Sequence, residues 1–468
     1  MKERFDNGKF LKALLMIAVP VAFQNLLTTT GSMVDTIMLG KLGENTVGAV
    51  GLCAQFSSLM LSCYWGFLGG GMMFISQYWG EGNKDGIRHS YGILFMFMMS
   101  VAFIFAGLGI LAPEKVMDLY TNNAVIKEIA VPYLRLAGFA YPIQVLCMCM
   151  GVLMRCTEHV TIPLIGGIAS VITNCVVNYI LIFGHFGFPV MGVRGAAAGT
   201  IVAAVVNLII IVICAKVSHI PFLFDISEHF KWSAALLKEF LKRSFPILCN
   251  EIAIGVGNML INVVLGRQTS QIIAAVAVFR VIEGMVIAFF SGFSSAASVL
   301  VGKEAGAGNH EDAYRRAIRI VYLTSFMVFV LFMILIGVHG PMFRAMSLDG
   351  ASFGYATEML IIFSVLGTVR MGNWCHNDTF RSAGDSAYGS ILEITFMFCM
   401  VIPAVYIANF ALKLEFRWVF ALCYCDEVIR YVMMQVHLYG GKWIRPVSES
   451  GLKTIGEFRK RHGIKEKA

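Results

Sequence analysis

MIAVPVAFQNLLTTTGSMVDTIMLG (16–40) is a long apolar segment that contains one proline, Pro20, and one acidic residue, Asp35. An apolar helix of about 20 residues spans the roughly 30 Å hydrocarbon core of a bilayer. An Asp near the middle of such a helix costs about 2.5–3.5 kcal/mol on insertion scales. The segment therefore predicts a membrane-spanning helix whose acidic residue has a functional role.

The same segment recurs 226 residues further along the chain, without a gap. Identical residues at both positions include Pro20 and Pro246, Gly31 and Gly257, Met33 and Met259, Gly40 and Gly266, and Arg155 and Arg381. Asp35, in contrast, is matched by Ile261. The chain is thus a tandem duplication in which the acid belongs to one half only.

The composition is that of a membrane protein, with 57% hydrophobic and 14% charged residues and a mean hydropathy of +0.73. Soluble proteins have about a quarter charged residues. Apolar segments of spanning length recur along nearly the whole chain. We predict 12 spans, at 13–39, 46–78, 90–112, 126–153, 162–184, 193–216, 240–265, 272–302, 314–338, 353–379, 387–410 and 416–440.

Six spans per half make both halves enter the membrane in the same direction. The predicted fold is an all-α polytopic membrane protein of two six-helix repeats, related by a pseudo-twofold axis along the membrane normal. The predicted domains are an N-lobe (1–216), a cytoplasmic linker (217–237), a C-lobe (238–440) and a basic cytoplasmic tail (441–468). In the tail, Trp443 is predicted to anchor the chain at the membrane interface.

The basic residues predict the orientation. Of the 37 Lys and Arg residues, 25 fall in segments on the side of the termini and 8 in loops on the other side. Because basic residues concentrate on the cytoplasmic side, both termini are predicted to lie in the cytoplasm, with the protein in the cell's inner membrane. The same distribution explains the net charge of +8 without a nucleic-acid partner.

Several polar residues of the N-lobe are predicted to lie at similar depth. At about 1.5 Å per residue, Asp35 and Asn178 lie roughly 7 and 9 Å inside the outer ends of their spans, and Thr200 about 11–12 Å. Asn174 shares a face with Asn178, four residues away. We predict that this group couples transport to a small cation, either as a Na⁺ site at Asp35 and Asn178 or as a protonatable acid.

The C-lobe carries a different set of intramembrane ionisable residues. Those that we assign to a candidate substrate cavity are Glu251, Arg280, Glu283, Arg370 and His376. Arg280 and Glu283 have the i, i+3 spacing of a pair that neutralises itself, which leaves a structural role equally open. The spacing of Asp426 and Arg430 favours an internal ion pair.

The sequence contains neither an HExxH nor a Walker A motif, which argues against a zinc metalloenzyme of that type and an ATP-driven pump. The cysteines lie mostly inside apolar segments without a CxxC pair, which is typical of reduced core residues rather than metal ligands. No cofactor is expected beyond the coupling ion, H⁺ or Na⁺.

Several motifs together resemble the multidrug and toxic compound extrusion (MATE) family. They are LGKLG (39–43), WGEGN (79–83), GVLMR (151–155), NCVVNYILIFG (174–184), GVRGAAAGT (192–200), GKEAGAGN (302–309) and TFRSAGD (379–385). The resemblance implies two six-helix lobes around a central cavity and export of organic cations in exchange for sodium ions or protons. It also places Asp35, Asn174, Asn178 and Thr200 at the family's N-lobe cation site, although many members carry Asp where this chain has Asn178.

The predicted function is therefore a secondary active antiporter that acts as a monomer, exporting amphipathic, cationic organic compounds and drugs by alternating access. The alternative is a flippase or exporter of a lipid-linked or anionic metabolite, favoured by Arg280, Arg370 and His376 if they face the cavity. A membrane receptor or integral enzyme is disfavoured by the duplicated, even-span halves and by the absence of HExxH and Walker A motifs.

The charge bias makes the topology testable. Single cysteines at Lys115 or Arg344 should react with a membrane-impermeant maleimide added to intact cells, because these positions lie in predicted external loops. Cysteines at Lys84 or His310 should react only after the cells are lysed. The unsubstituted chain gives the background labelling, and labelling at Lys84 in intact cells would reverse the predicted orientation.

Overall fold

The computed structural model describes residues 7–346 and 348–464. Lys2, Arg4, Lys465 and Lys467, which contribute to the charge bias, lie outside these ranges. The α-helices are α1 Asn7–Gly40, α2 Glu44–Glu81, α3 Lys84–Leu111, α4 Pro113–Tyr120, α5 Ala124–Cys156, α6 Thr161–Phe183, α7 Val193–Val217, α8 Ile226–His229, α9 Ala234–Leu265, α10 Ser270–Gly306, α11 His310–Ala345, α12 Gly350–Ser382, α13 Ala387–Phe396, α14 Ile402–Tyr406, α15 Phe416–Leu422, α16 Glu427–Gly440 and α17 Glu449–Arg461.

The helices confirm the all-α membrane fold, and the described residues include no strand. Eleven helical segments are long and apolar enough to span a bilayer, and they coincide with the first eleven predicted spans. The eleventh runs from α13 to 411 and contains two π-helical stretches, Met397–Val401 and Ile407–Ala411, on either side of α14. The twelfth predicted span, 416–440, is divided into α15 and α16 by a turn at 423–426.

Local sequence explains where several helices begin. Asn83 caps α3 by accepting a hydrogen bond from the Gly86 N–H at 2.8 Å, and Asn123 caps α5 in the same way. An Asn side chain stabilises a helix start because it satisfies an otherwise unpaired N–H group. Pro20 and Pro246 lie inside α1 and α9 at equivalent positions of the duplication.

The described chain forms two compact units. The N-terminal unit consists of Phe23–Ile75 and Asn83–Leu241. In it α6 packs against α7, and Gly195 permits a close approach of the two backbones, since a Cβ there would lie 2.7 Å from the Leu181 carbonyl carbon. The close packing of α6 and α7 matters because both helices carry residues of the predicted cation site.

The segment between α7 and α9 belongs to the N-terminal unit and lies against α3. Gly92 of α3 is in contact with the backbone of α8: a Cβ at this position would lie 1.7 Å from the His229 carbonyl oxygen. Arg88 forms an ion pair of 2.5 Å with Asp225. His229 is buried, which lowers the pKa of its imidazole, and its Nε2 lies 2.6 Å from the Phe222 carbonyl oxygen.

The C-terminal unit contains the chain from Lys242 onwards together with the described residues up to Ala22 and the segment Ser76–Gly82. Gln77, at the end of α2, is fully buried in it. Its Nε2 donates to the Ser382 carbonyl at 2.8 Å, and its Oε1 accepts from the Val447 N–H at 2.7 Å. One amide side chain therefore joins the end of α2 to α12 and to the tail.

The tail is packed within this unit. The Ser450 N–H donates to Glu81 at 2.8 Å, and the Ser448 hydroxyl donates to the Gly306 carbonyl at 2.7 Å. Trp443 has no exposed surface, and its indole N–H donates to the Leu438 carbonyl. The prediction that Trp443 anchors the chain at the membrane interface was wrong, because its ring packs against Phe380 inside the protein.

Replacement of Gln77 by Met should destabilise the C-terminal unit by about 2–4 kcal/mol. Met keeps the length of the side chain but leaves the half-buried Val447 N–H and the buried Ser382 carbonyl without this partner, and an unpaired buried group costs about 1–3 kcal/mol. Thermal unfolding in detergent measures the effect. Gln271→Met, at an exposed site, is the control, and an equal midpoint for the two variants would show that the Gln77 contacts contribute little.

Candidate functional site

A cavity of about 580 Å³ lies inside the N-terminal unit. Its walls come from α1, α2, α5, α6 and α7. Among the described residues that line it, the charged ones are Asp35 and Arg155, and the others are small, polar or apolar. The volume falls within the roughly 300–1,000 Å³ that is typical of small-molecule sites.

Three of the four residues predicted for cation coupling meet at Asp35. The Asn178 amide donates to Asp35 Oδ1 at 2.8 Å, across the contact of α1 and α6. The Asn174 amide lies 2.8 and 3.0 Å from the two Asp35 carboxylate oxygens and donates to them when its nitrogen is turned towards Asp35. Two amides one helical turn apart thus contact one carboxylate, because positions i and i+4 share a helix face.

Thr200, the fourth predicted residue, lines the same cavity. Its hydroxyl donates to the Ala196 carbonyl of its own helix at 3.0 Å, which leaves oxygen lone pairs for a ligand. The preceding residue, Gly199, provides the space for the site: a Cβ there would lie 1.9 Å from Asn178 Oδ1. A glycine is therefore required where α7 passes the amide.

Asp35 has no basic partner. No described Lys, Arg or His lies within ion-pairing distance of its carboxylate, although the side chain is half-buried. A carboxylate at this depth needs a compensating positive charge, and a proton or a bound cation is what remains. Among residues 7–346 and 348–464, no group of three or more His, Cys, Asp or Glu side chains is placed to hold a metal ion, so a Na⁺ here would depend on the Asp35 carboxylate together with amide, hydroxyl and carbonyl oxygens.

Sequence reasoning missed several polar residues of the cavity. Gln24 and Asn207 line it, as do Tyr141 and Ser57, whose hydroxyls are 2.9 Å apart. Gln24 also donates to the Pro163 carbonyl at 3.2 Å, which joins α1 to the start of α6. The available signal was the presence of uncharged polar side chains on several spans, but their common orientation requires the packing of the helices.

The residues predicted for a C-lobe cavity form ion pairs within the C-terminal unit. Glu283 lies 2.6 Å from Arg280 and 3.3 Å from Arg370, and it accepts a hydrogen bond from the Tyr424 hydroxyl at 3.2 Å. Arg280 and Glu283 therefore form the i, i+3 ion pair that their spacing in the sequence allows. Both arginines share one buried carboxylate.

The predicted internal pair of Asp426 and Arg430 also forms, at 3.1 Å. Arg430 has only 3% of its surface exposed, and it contacts two further carboxylates, Glu427 at 2.6 Å and Glu393 at 3.1 Å. Arg370 lies 3.7 Å from Glu427 and so connects this cluster to the one around Glu283.

Glu251 and His376 lie elsewhere in the same unit. Glu251 pairs with Arg381 at 3.3 Å, and Arg381 lies 3.8 Å from Asp378. His376 is fully buried, and its Nδ1 is 2.7 Å from the Gly372 carbonyl oxygen. Its ring also packs against Tyr431. A role of Glu251 and His376 in a substrate cavity stays a prediction.

The fold and the site define a polytopic helical transporter with an acid-and-amide site in one half. A model of the MatE family matches residues 20–180 and again 246–407, in agreement with the duplication. The chain therefore belongs to the MatE family, a family of multidrug efflux transporters and not of enzymes.

Known relatives and structures agree with this assignment. The chain is 21% identical to the probable multidrug resistance protein YoeA of Bacillus subtilis, over 86% of this chain and 88% of the relative. It is 23% identical to the probable multidrug resistance protein NorM of Thermotoga maritima, over 92% and 93%. A crystal structure of a MATE protein in a bent conformation superposes with a TM-score of 0.83 at 16% identity, covering 97% of each chain.

Replacement of Gly199 by Ala should disrupt the site at Asp35. The new methyl group would overlap Asn178 Oδ1, so the amide must move away from the carboxylate, and overpacking of this kind costs about 1–3 kcal/mol. Thermal unfolding in detergent should show the loss.

The matched control is Gly48→Ala in α2, where a Cβ would have no neighbour within 4 Å. Combining Gly199→Ala with Asn178→Ser should recover part of the stability, since the shorter side chain relieves the overlap. Wild-type stability of the Gly199→Ala single variant would contradict the packing described here.

Proposed function

We propose that the protein is a secondary active antiporter that exports amphipathic organic cations in exchange for H⁺ or Na⁺. The observation that carries this proposal is the uncompensated carboxylate of Asp35 in a drug-sized cavity. Acids of the C-terminal unit such as Glu283 and Glu251 have arginine partners, whereas the charge of Asp35 is left for an exchangeable ion.

The amides of Asn174 and Asn178 suit this role. They hold the carboxylate in one orientation by hydrogen bonds but supply no charge, so a proton, a sodium ion and an organic cation can each serve as the counter-charge. Antiport requires that the affinities for coupling ion and substrate differ between conformations, and an exchangeable counter-charge permits such competition. We propose alternating access as the way in which the site is exposed to each side.

The remaining parts of the proposal follow from the sequence. The protein would act as a monomer in the cell's inner membrane with both termini in the cytoplasm, in accordance with its basic bias. The alternative of a lipid-linked or anionic substrate is favoured by Arg280, Arg370 and His376 if they face the cavity. Arg280 and Arg370 are instead paired with Glu283, which favours the cationic proposal for that half of the chain.

The decisive variant is Asp35→Asn, which keeps the size of the side chain but removes its charge. In proteoliposomes with an imposed pH or Na⁺ gradient, ethidium efflux should fall to the level of protein-free vesicles, because no exchangeable counter-charge remains. Asp118→Asn, at an exposed acid in α4, is the control and should transport like the wild type. Full gradient-driven efflux by Asp35→Asn would exclude Asp35 from coupling.

Comparison of the two gradients distinguishes H⁺ from Na⁺ as the coupling ion, since only the gradient of the coupling ion should drive efflux.

Asn178→Asp adds a second acid beside Asp35. We expect this variant to keep transport but to change its dependence on pH or Na⁺.

A further inference from the structure

Arg155, at the cytoplasmic end of α5, is an arginine that has no acidic partner among the described residues. Its side chain is half-buried and lines the same cavity as Asp35. Its Nε donates to the Gly151 carbonyl of its own helix at 3.3 Å. No described carboxylate lies within ion-pairing distance of the guanidinium, so the charge faces the cavity uncompensated.

The duplication shows which partners are missing. The equivalent arginine of the second half, Arg381, pairs with Glu251 and Asp378 and interacts electrostatically with Glu393. At the corresponding positions of the first half, 226 residues earlier, these three acids are replaced by Asn25, Val152 and Gly167. The first half therefore retains the arginine but has lost every carboxylate that neutralises its counterpart.

The contacts around the two arginines show that the correspondence holds in space. In the second half, the Asn250 amide donates to Glu393 at 2.9 Å. Their counterparts, Gln24 and Gly167, are also neighbours, because a Cβ at Gly167 would lie 3.2 Å from Gln24 Cγ. Gln24 therefore lies against Gly167 in the first half, where the second half has the carboxylate of Glu393, and both Gln24 and Gly167 line the cavity.

We propose that Arg155 is an anion-binding subsite of this cavity and binds a carboxylate, sulfonate or phosphate group of the transported molecule. A guanidinium is suited to this role, since it offers fixed donors that match the oxygens of such groups in bidentate fashion. The subsite lies well away from Asp35: Gln24, near the inner end of the cavity, and Asp35 are about 16 Å apart along α1 at 1.5 Å per residue.

The two charges define the substrate class, an inference that rests on the proposed antiport at Asp35. A substrate that fits both ends is an elongated amphipathic zwitterion, with its cationic group towards Asp35 and its anionic group at Arg155. Its apolar body would lie between them, against the mixed polar and apolar wall that includes Tyr141 and Met148. Purely cationic compounds would use one end of the cavity only.

Rhodamine 110 and rhodamine 123 provide a matched pair of probes, because the second is the methyl ester of the first and lacks its carboxylate. Binding of each dye to purified protein in a maltoside detergent is measured by fluorescence anisotropy. The wild type should bind rhodamine 110 at least about tenfold more tightly than rhodamine 123, in line with a desolvated charge pair. In Arg155→Gln this ratio of dissociation constants should fall to about one, and Arg155→Lys should restore part of it.

A second variant tests the subsite without removing the arginine. Asn25→Glu places an acid where Glu251 stands in the other half, so Arg155 should acquire an internal partner and the preference for rhodamine 110 should disappear. Asn25→Gln is the matched neutral control and should keep the wild-type ratio. Gel filtration and thermal unfolding verify that each variant is folded.

Equal affinity of the wild type for the two dyes, or an unchanged ratio in folded Arg155→Gln, overturns the proposal.

A lipid phosphate is the other source of an anionic group. If Arg155→Gln loses bound phosphatidylglycerol but keeps the dye ratio, Arg155 is a lipid site and the substrate subsite is excluded. Because equilibrium binding needs no ion gradient, a failure of antiport at Asp35 would leave these results unaffected and is thereby distinguished from a failure of the subsite.

Discussion

Charge compensation in a dehydrated environment is the constraint on which this structure depends. A buried ion that lacks a partner costs several kcal/mol, and removal of one member of a buried pair costs about 3–5 kcal/mol. The C-terminal unit meets the constraint internally, since Arg430 alone contacts three carboxylates. In the N-terminal unit, the two charged residues of the cavity, Asp35 and Arg155, have no ion-pair partner among the described residues, and we propose that a bound ion or substrate balances them.

The two halves of this duplicated chain therefore differ in how their intramembrane charges are arranged. The same helical pattern supports a dense, self-neutralised ion network in one unit and an open polar cavity in the other. The difference results from a small number of positions, where a carboxylate in one copy corresponds to an amide, a valine or a glycine in the other. The two halves thus share a scaffold but differ in the number of acids beside the equivalent arginines, Arg155 and Arg381.

The sequence was sufficient for the class of fold because the bilayer imposes lengths and polarity that can be recognised locally. The spans, the duplication and the family resemblance all followed from patterns within short segments. The similar depth of Asp35, Asn178 and Thr200 was also foreseeable from residue number, and the family resemblance grouped them with Asn174 in one site. In contrast, the partners of Glu251 and Arg370 were not foreseeable, because they depend on the rotation of each helix about its axis. Trp443 was misassigned for a similar reason: an aromatic residue after the last span has the same local signature whether it lies in lipid or against Phe380.

The contacts of Gln77 have a consequence for the order in which the protein can be completed during synthesis. Gln77 and its partner Val447 are 370 positions apart in the chain. When α2 leaves the ribosome, the backbone groups that the Gln77 side chain will bind have not yet been synthesised. The end of α2 therefore lacks these partners until the remaining spans have been inserted. The C-terminal unit can therefore complete its packing only after its last segment is translated. A chain that ends before Val447 would leave the polar side chain of Gln77 without this partner, and we expect such a chain to be degraded by quality-control proteases.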